Sequence, residues 1–174
     1  MQKDCKNKEL DPYGRPYPPK AGKYRMPSLT VDALCSRPNP QAPKNPKILM
    51  ITRGHSPFKG SLAFPGGFVD YNENPETAVL RELKEEADVA GLKPELVGVF
   101  GDPQRDPRKH VVTIAYSVTL PEDAQVKAGD DASDAQWYDL SHLVELGEAE
   151  KLAFDHYQIL KAYIKRYYAD SDLI

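Results

Sequence analysis

Residues 66–89 read GGFVDYNENPETAVLRELKEEADV, and the rest of the chain is best read as a frame for this stretch. Asn74-Pro75-Glu76 is a helix start. Asn offers a side-chain oxygen to unpartnered backbone N–H groups, Pro is preset for the first turn, and Glu complements the positive helix end. The spacing predicts a helix running to about Ala87. At roughly 3.6 residues per turn, Val79, Leu80, Leu83 and Ala87 form one apolar stripe, and Glu82, Glu85 and Glu86 share the neighbouring face. Three carboxylates therefore project together. Taken alone they also fit a solvated amphipathic helix, supported by Arg81 paired with Glu85 and Lys84 paired with Asp88 one turn on.

The segment in front of the helix adds a second side to this face. Phe64-Pro65-Gly66-Gly67 can bring bare backbone close to a ligand, and the apolar residues around it predict a strand feeding a loop and then the carboxylate helix. Oxygen donors on both sides of a gap suit magnesium or manganese, which often bridge to substrate phosphates. Nothing in the spacing of His and Cys resembles a zinc site.

At these residues the stretch resembles the signature of the Nudix hydrolase family: Gly, five residues, Glu, seven residues, then Arg-Glu-U-x-Glu-Glu-x-Gly-U, with U bulky and apolar. Gly67, Glu73, Arg81, Glu82, Leu83, Glu85, Glu86 and Val89 fall on it at the required spacing. Asp88 stands where the family has glycine, just past the helix, where a left-handed backbone is often needed. The resemblance implies an α/β fold, an α/β/α sandwich around a central mixed sheet. It implies Mg2+ or Mn2+ held by Glu82, Glu85 and Glu86 with the carbonyl of Gly66. It also implies that Glu73 and Arg81 pair and brace the loop against the helix.

The chain of 174 residues suits one domain with a real core, expected over residues 28–170. Its 23 basic and 26 acidic residues give a net charge of −3, which lends no support to a nucleic-acid-binding surface or a basic membrane anchor. Cys5 and Cys35 are too few for a disulfide framework and read as free thiols in a reducing compartment. The first ten residues lack the apolar core of a secretory signal, and no stretch approaches the roughly 18 apolar residues of a membrane span. The expectation is a soluble, cytoplasmic protein without a membrane partner.

Residues 1–27 read as an arm in which Pro12, Pro16, Pro18, Pro19 and Pro27 interleave with Tyr13, Tyr17 and Tyr24. Such an arm is either a mobile leader or packs on the domain or on a second subunit, so a homodimer is kept open. Residues 29–34 and 47–52 read as strands separated by a linker with four prolines. The loop after the second strand carries Arg53, which could meet a phosphate, and Phe58, which could stack on a base. A surface arginine and a core phenylalanine are equally ordinary readings. Residues 95–100 read as a strand, followed by the stiff polar loop GDPQRDPR. Arg105, Asp106 and Arg108 in this loop could hold phosphates or ribose hydroxyls, or the Asp-Pro pairs could be simple turn chemistry. Residues 110–120 alternate clearly as a strand with Val112, Ile114, Tyr116, Val118 and Leu120 on one face.

The GDPxRDPR loop with its following strand, and the Ser-Pro-Phe-Lys-Gly segment before the glycine turn, resemble the ADP-ribose pyrophosphatase branch of the family. The implied activity is metal-dependent hydrolysis of a nucleoside diphosphate linked to another group, foremost ADP-ribose to AMP and ribose 5-phosphate. Alternatives are NADH, dinucleoside polyphosphates or oxidised nucleotides as substrates, or a non-catalytic ADP-ribose sensor; no room for a DNA-binding module is expected before residue 174. In the family a loop carboxylate outside the signature often assists the attacking water. Asp131, or its neighbours Asp130 and Asp134, fits that place, and ordinary solvated loop acids fit it too. Trp137 reads as core, His142 and His156 as structural or surface. A closing amphipathic helix is expected over residues 152–168, with Ala153, Tyr157, Leu160, Ile164 and Tyr167 as its stripe.

Overall fold

The computed structural model describes residues 26–128 and 132–169. All but the last two residues of the proposed arm, with Cys5, Asp130 and Asp131, lie outside these residues. Two four-stranded sheets form the centre. In the first, β1 (Ser28–Leu34) pairs in parallel with β7 (Val111–Thr119), β5 (Gly66–Phe68) runs antiparallel to β1, and β6 (Lys93–Phe100) runs antiparallel to β7. In the second, β3 (Lys47–Arg53) pairs along its length with β8 (Ala132–Asp139), while β2 (Ser36–Arg37) and β4 (Leu62–Ala63) pair with its two ends. The sheet is thus mixed, as expected, and divided into two sections.

Strand alternation produces the layering. Val31 and Ala33 of β1 and Leu49 and Ile51 of β3 face α1 (Pro75–Ala87), which buries Ala78, Val79, Leu83 and Ala87 against them. Leu34, Ile48 and Met50 point the other way, into α2 (Leu140–Glu148) and α3 (His156–Tyr167). Both faces of β1 and β3 are therefore covered, which is an α/β/α sandwich. Burying a side chain such as Leu83 completely contributes about 1.5–3 kcal/mol, so this stripe is what seats α1.

Three sequence expectations shift in detail. On β7, Tyr116 and Val118 lie in the α1 core with Ile114 and Leu120 packed on it, but Thr113 and Ala115 on the opposite face are also fully buried, because β7 is an inner strand. The buried side of α3 is His156, Ile159, Leu160, Tyr163 and Ile164; Tyr167 lies at the exposed edge. Helix α2 has no announcing cap: the side chain of Asp139, its N-cap residue, bonds to Asn39 and Lys47 and makes no bond to the helix. Among the described residues no helix is long and apolar enough to cross a membrane.

Candidate active site

The N-terminus of α1 forms as its residues dictate. The Asn74 side chain accepts the Glu76 N–H at 2.9 Å, and Pro75 opens the first turn. At the other end Asp88 takes the left-handed conformation, φ 53°, and its N–H closes the last turn on the Lys84 carbonyl. Arg81 organises the exposed side. It donates to both Glu73 oxygens at 2.8 Å, to Glu82 at 2.8 Å, to Glu85 at 3.1 Å and to the Phe68 carbonyl at 3.0 Å. The bonds from Arg81 hold the Glu73 carboxyl down at about 2.

Strand β5 brings the glycine backbone against this helix. The Gly66 N–H donates to Glu86 Oε2 at 2.8 Å. A Cβ at Gly66 would run into the Val31 carbonyl of β1, and one at Gly67 would run into the Glu82 carboxylate. Glycine is needed at Gly66, where the clash is with backbone, whereas a side chain at Gly67 would displace the Glu82 carboxylate. Burial pushes the Glu86 carboxyl up to about 8, against the Gly66 N–H and with reinforcement from Glu82 and Asp32. Glu82 is also raised, by burial first, although Arg81 opposes it.

The other wall comes from distant segments. Asp32 of β1, the register partner of Gly66, accepts from Thr113 Oγ1 at 2.7 Å and is raised by burial to about 6. His156, at the start of α3, accepts the Phe64 N–H on Nδ1 at 3.0 Å, and its Nε2 lies 3.5 Å from Asp32 Oδ1. Since Nδ1 accepts, the proton of the neutral ring belongs on Nε2, and burial lowers the ring to about 3. A cavity of about 370 Å3 lies among these groups, lined by Asp32, Gly66, Gly67, Glu82 and Glu86 together with Arg53, Arg105, Asp106, Arg108 and Phe154.

The residues proposed to meet substrate take different places. Arg53 donates from Nε to the Pro57 carbonyl at 2.9 Å, and its guanidinium lies 4.8 Å from the centre of the Phe154 ring. Burial and the nearby Arg108 charge lower its pKa. Arg108, partly exposed, makes a two-pronged bond to Asp106 at 3.0 and 2.7 Å and lies 5.9 Å from the same ring. Burial alone would raise Asp106, but the Arg108 side-chain and backbone bonds outweigh it and hold the carboxyl low. Arg105 is buried and doubly bonded to Asp155 at 2.9 and 2.7 Å, with Asp32 3.9 Å away. Phe58 is 40% exposed and meets Phe154 edge to face at 4.8 Å. Asp134 on β8 accepts a bond from Gln136 Nε2.

Asp32, Phe154 and His156 belong to this site although no local pattern marks them. Phe58 and Phe154 both hold positive φ, 61° and 52°, a conformation costing about 1–2 kcal/mol per side-chain-bearing residue. Among the described residues no three His, Cys, Asp or Glu side chains stand as a ready metal cluster. Glu82 and Glu85 lean on Arg81, and Glu86 leans on Gly66.

A NUDIX domain model matches residues 27–163, and the chain belongs to that family. An ADP-ribose pyrophosphatase from Methanocaldococcus jannaschii is 42% identical over 146 residues, covering 82% of this chain and 78% of the relative. An ADPR responsive transcriptional repressor from Acinetobacter baylyi is 32% identical, covering 79% of this chain; the chain spans about half, 53%, of that repressor. Among solved structures, the NUDIX domain of Shewanella oneidensis NrtR complexed with ADP ribose superposes with a TM-score of 0.71 at 33% identity, covering 86% of this chain and 93% of that one.

Proposed function

We propose that this chain is a metal-dependent pyrophosphohydrolase that cleaves ADP-ribose to AMP and ribose 5-phosphate. The observation that carries the reading is the meeting of α1 carboxylates with a pair of guanidiniums, Arg53 and Arg108, across one cavity. The likeness to the Methanocaldococcus jannaschii pyrophosphatase over most of both chains supports the substrate.

The donor set suits a hard divalent ion. Glu86 is a buried carboxylate raised to about 8, with Glu82 and Asp32 adding negative charge around it. An oxygen-liganded cation would relieve that repulsion. Glu82, Glu85 and Glu86, with the Gly66 carbonyl, are assigned as ligands of Mg2+ or Mn2+. When bound, such an ion neutralises phosphate oxygens and acidifies water. Arg81 and Glu73 brace the helix against the glycine turn. Arg53 and Arg108 orient the diphosphate, Phe58 contacts the base, and Arg105 with Asp106 keeps the loop in register beside it. Proton removal from the attacking water is assigned to one of the glutamates or to Asp131, outside the described residues.

The reading includes a cytoplasmic protein that acts on a small nucleotide, and the net charge of −3 gives no support to nucleic acid as its substrate. The reading also includes a homodimer; a monomer by light scattering at micromolar concentration removes that part. The ADPR responsive repressor and the NUDIX domain complexed with ADP ribose favour a second reading, an ADP-ribose sensor. A panel of ADP-ribose, NADH, diadenosine polyphosphates and nucleoside triphosphates with Mg2+ or Mn2+ decides. Preferred cleavage of ADP-ribose is expected; preference for another compound overturns the substrate, and binding without consumption establishes the sensor.

A further inference from the structure

His156 is buried, 3% exposed, and the chemistry proposed above gives it no part. Its Nδ1 nevertheless accepts the N–H of Phe64, two residues before Gly66, at 3.0 Å. We propose that His156 is a positioning residue: by holding the Phe64 N–H it fixes the direction of the Gly66 carbonyl assigned to the metal. The inference rests on the divalent-ion reading and names a residue, far outside the signature stretch, on which one ligand depends.

The turn between β4 and β5 makes the hold necessary. Strand pairing stops at Ala63 and resumes at Gly66, so Phe64 and Pro65 cross the gap outside either strand. A buried backbone N–H needs an acceptor, and that of the buried Phe64 finds a side chain 92 residues further on. The neighbouring backbone is pinned as well. The Leu62 carbonyl accepts the Ala153 N–H at 2.9 Å, the Pro65 carbonyl accepts the Ala33 N–H at 2.8 Å, and the Gly66 N–H donates to Glu86. Pro65 transmits position between Phe64 and Gly66, because its ring fixes φ and the peptide joining it to Gly66 is planar. Where α3 holds Phe64, Gly66 follows.

The imidazole is itself held from several directions. A backbone N–H only donates, so Nδ1 is the acceptor and the ring proton lies on Nε2, 3.5 Å from Asp32 Oδ1. Asp32 is bonded by Thr113 and stands opposite Gly66 in the register of β1 with β5. The Phe64 ring stacks on the imidazole at 5.1 Å and 17°, and the Phe154 ring lies 5.7 Å away. Packing alone would be served by an apolar side chain at this place. Instead each ring nitrogen faces a group that flanks Gly66, one in its own turn and one on the paired strand. Groups that orient a metal ligand in this way govern metal affinity without touching the ion.

Two substitutions separate the two nitrogens. In His156→Asn the amide oxygen takes the place of Nδ1, so the Phe64 bond is kept and the Asp32 contact is lost. In His156→Gln the longer amide reaches toward Asp32 and leaves the Phe64 N–H without its acceptor. Amide hydrogen exchange is followed without metal at Gly66 and at Leu49, whose N–H donates to Cys35 in the core and reports global opening. Mg2+ affinity is then measured by calorimetry on the parent and both variants. His156→Gln should expose the Gly66 amide while Leu49 stays protected, and should bind Mg2+ about tenfold more weakly, the scale for losing a group that orients a ligand. His156→Asn should follow the parent in both readouts. Equal Gly66 exchange in all three proteins, equal loss in the two variants, or unchanged Mg2+ affinity in His156→Gln would overturn the proposal. Loss of Leu49 protection together with Gly66, or a His156→Gln chain that does not fold, would mark a purely structural histidine and overturn it too. A parent that binds no Mg2+ would remove the metal assignment alone, because the hold on Gly66 is read without metal.

Discussion

At the scale of single residues, close approach and proton position dominate. Gly67 leaves no room for a side chain beside the Glu82 carboxylate. Gly67→Ala should displace that carboxylate and lower kcat by about a hundredfold, the usual consequence of misplacing a reacting group by about 1 Å. Unchanged kcat would show that Glu82 is free to move. His156 predicts a pH effect. Its folded value of about 3 lies below the ordinary 6.5, so the stability it contributes is present above pH 6.5 and is lost as pH falls toward 3. Asp32, raised from 3.8 to about 6, acts oppositely: its contribution is present below 3.8 and lost as pH rises through 6. His156→Asn keeps an acceptor for Phe64 but removes the titrating ring. The Tm gap between parent and variant should therefore be wider at pH 7 than at pH 5. An equal gap at both values would contradict the buried neutral imidazole.

At the scale of elements, α1 was legible because its signals are local. Asn74, Pro75 and the stripe from Val79 to Ala87 act within a few turns, and the helix spans Pro75–Ala87. Helix α2 was not legible: its N-cap side chain is drawn off by Asn39 and Lys47, about a hundred residues away in sequence. Asp88, which replaces the family glycine, has a φ of 53°. Asp88→Gly should stabilise the fold by about 1 kcal/mol, because glycine reaches the left-handed region freely. The Lys84–Asp88 pair that it removes is exposed and contributes little. A fall in Tm would show that the pair outweighs the backbone strain. The carboxylate face was legible in the same way as the helix. Asp32, Phe154 and His156 were not, since their meaning depends on β1 meeting β5 and on α3 reaching Phe64.

At the scale of the molecule, the sandwich explains why the site lies where it does. β1 and β3 spend one face on α1 and the other on α2 and α3, so the layers are fixed by hydrophobic alternation. Segment ends and loops are left to gather around one cavity: the start of β5, the loop after β3, the loop after β6 and the start of α3. A rigid frame thereby carries groups from residues 32 to 156 into one place. The proposed chemistry is cleavage of a nucleoside diphosphate by the α1 carboxylates through a divalent ion. The direct measurement is product formation from ADP-ribose at saturating Mg2+ by the parent and by Glu86→Gln, with Tm measured on both. AMP and ribose 5-phosphate are expected from the parent, almost none from a variant that melts at least as high when metal-free, and no rise in the variant's Tm on adding Mg2+. Equal turnover by the two proteins would contradict the proposed chemistry.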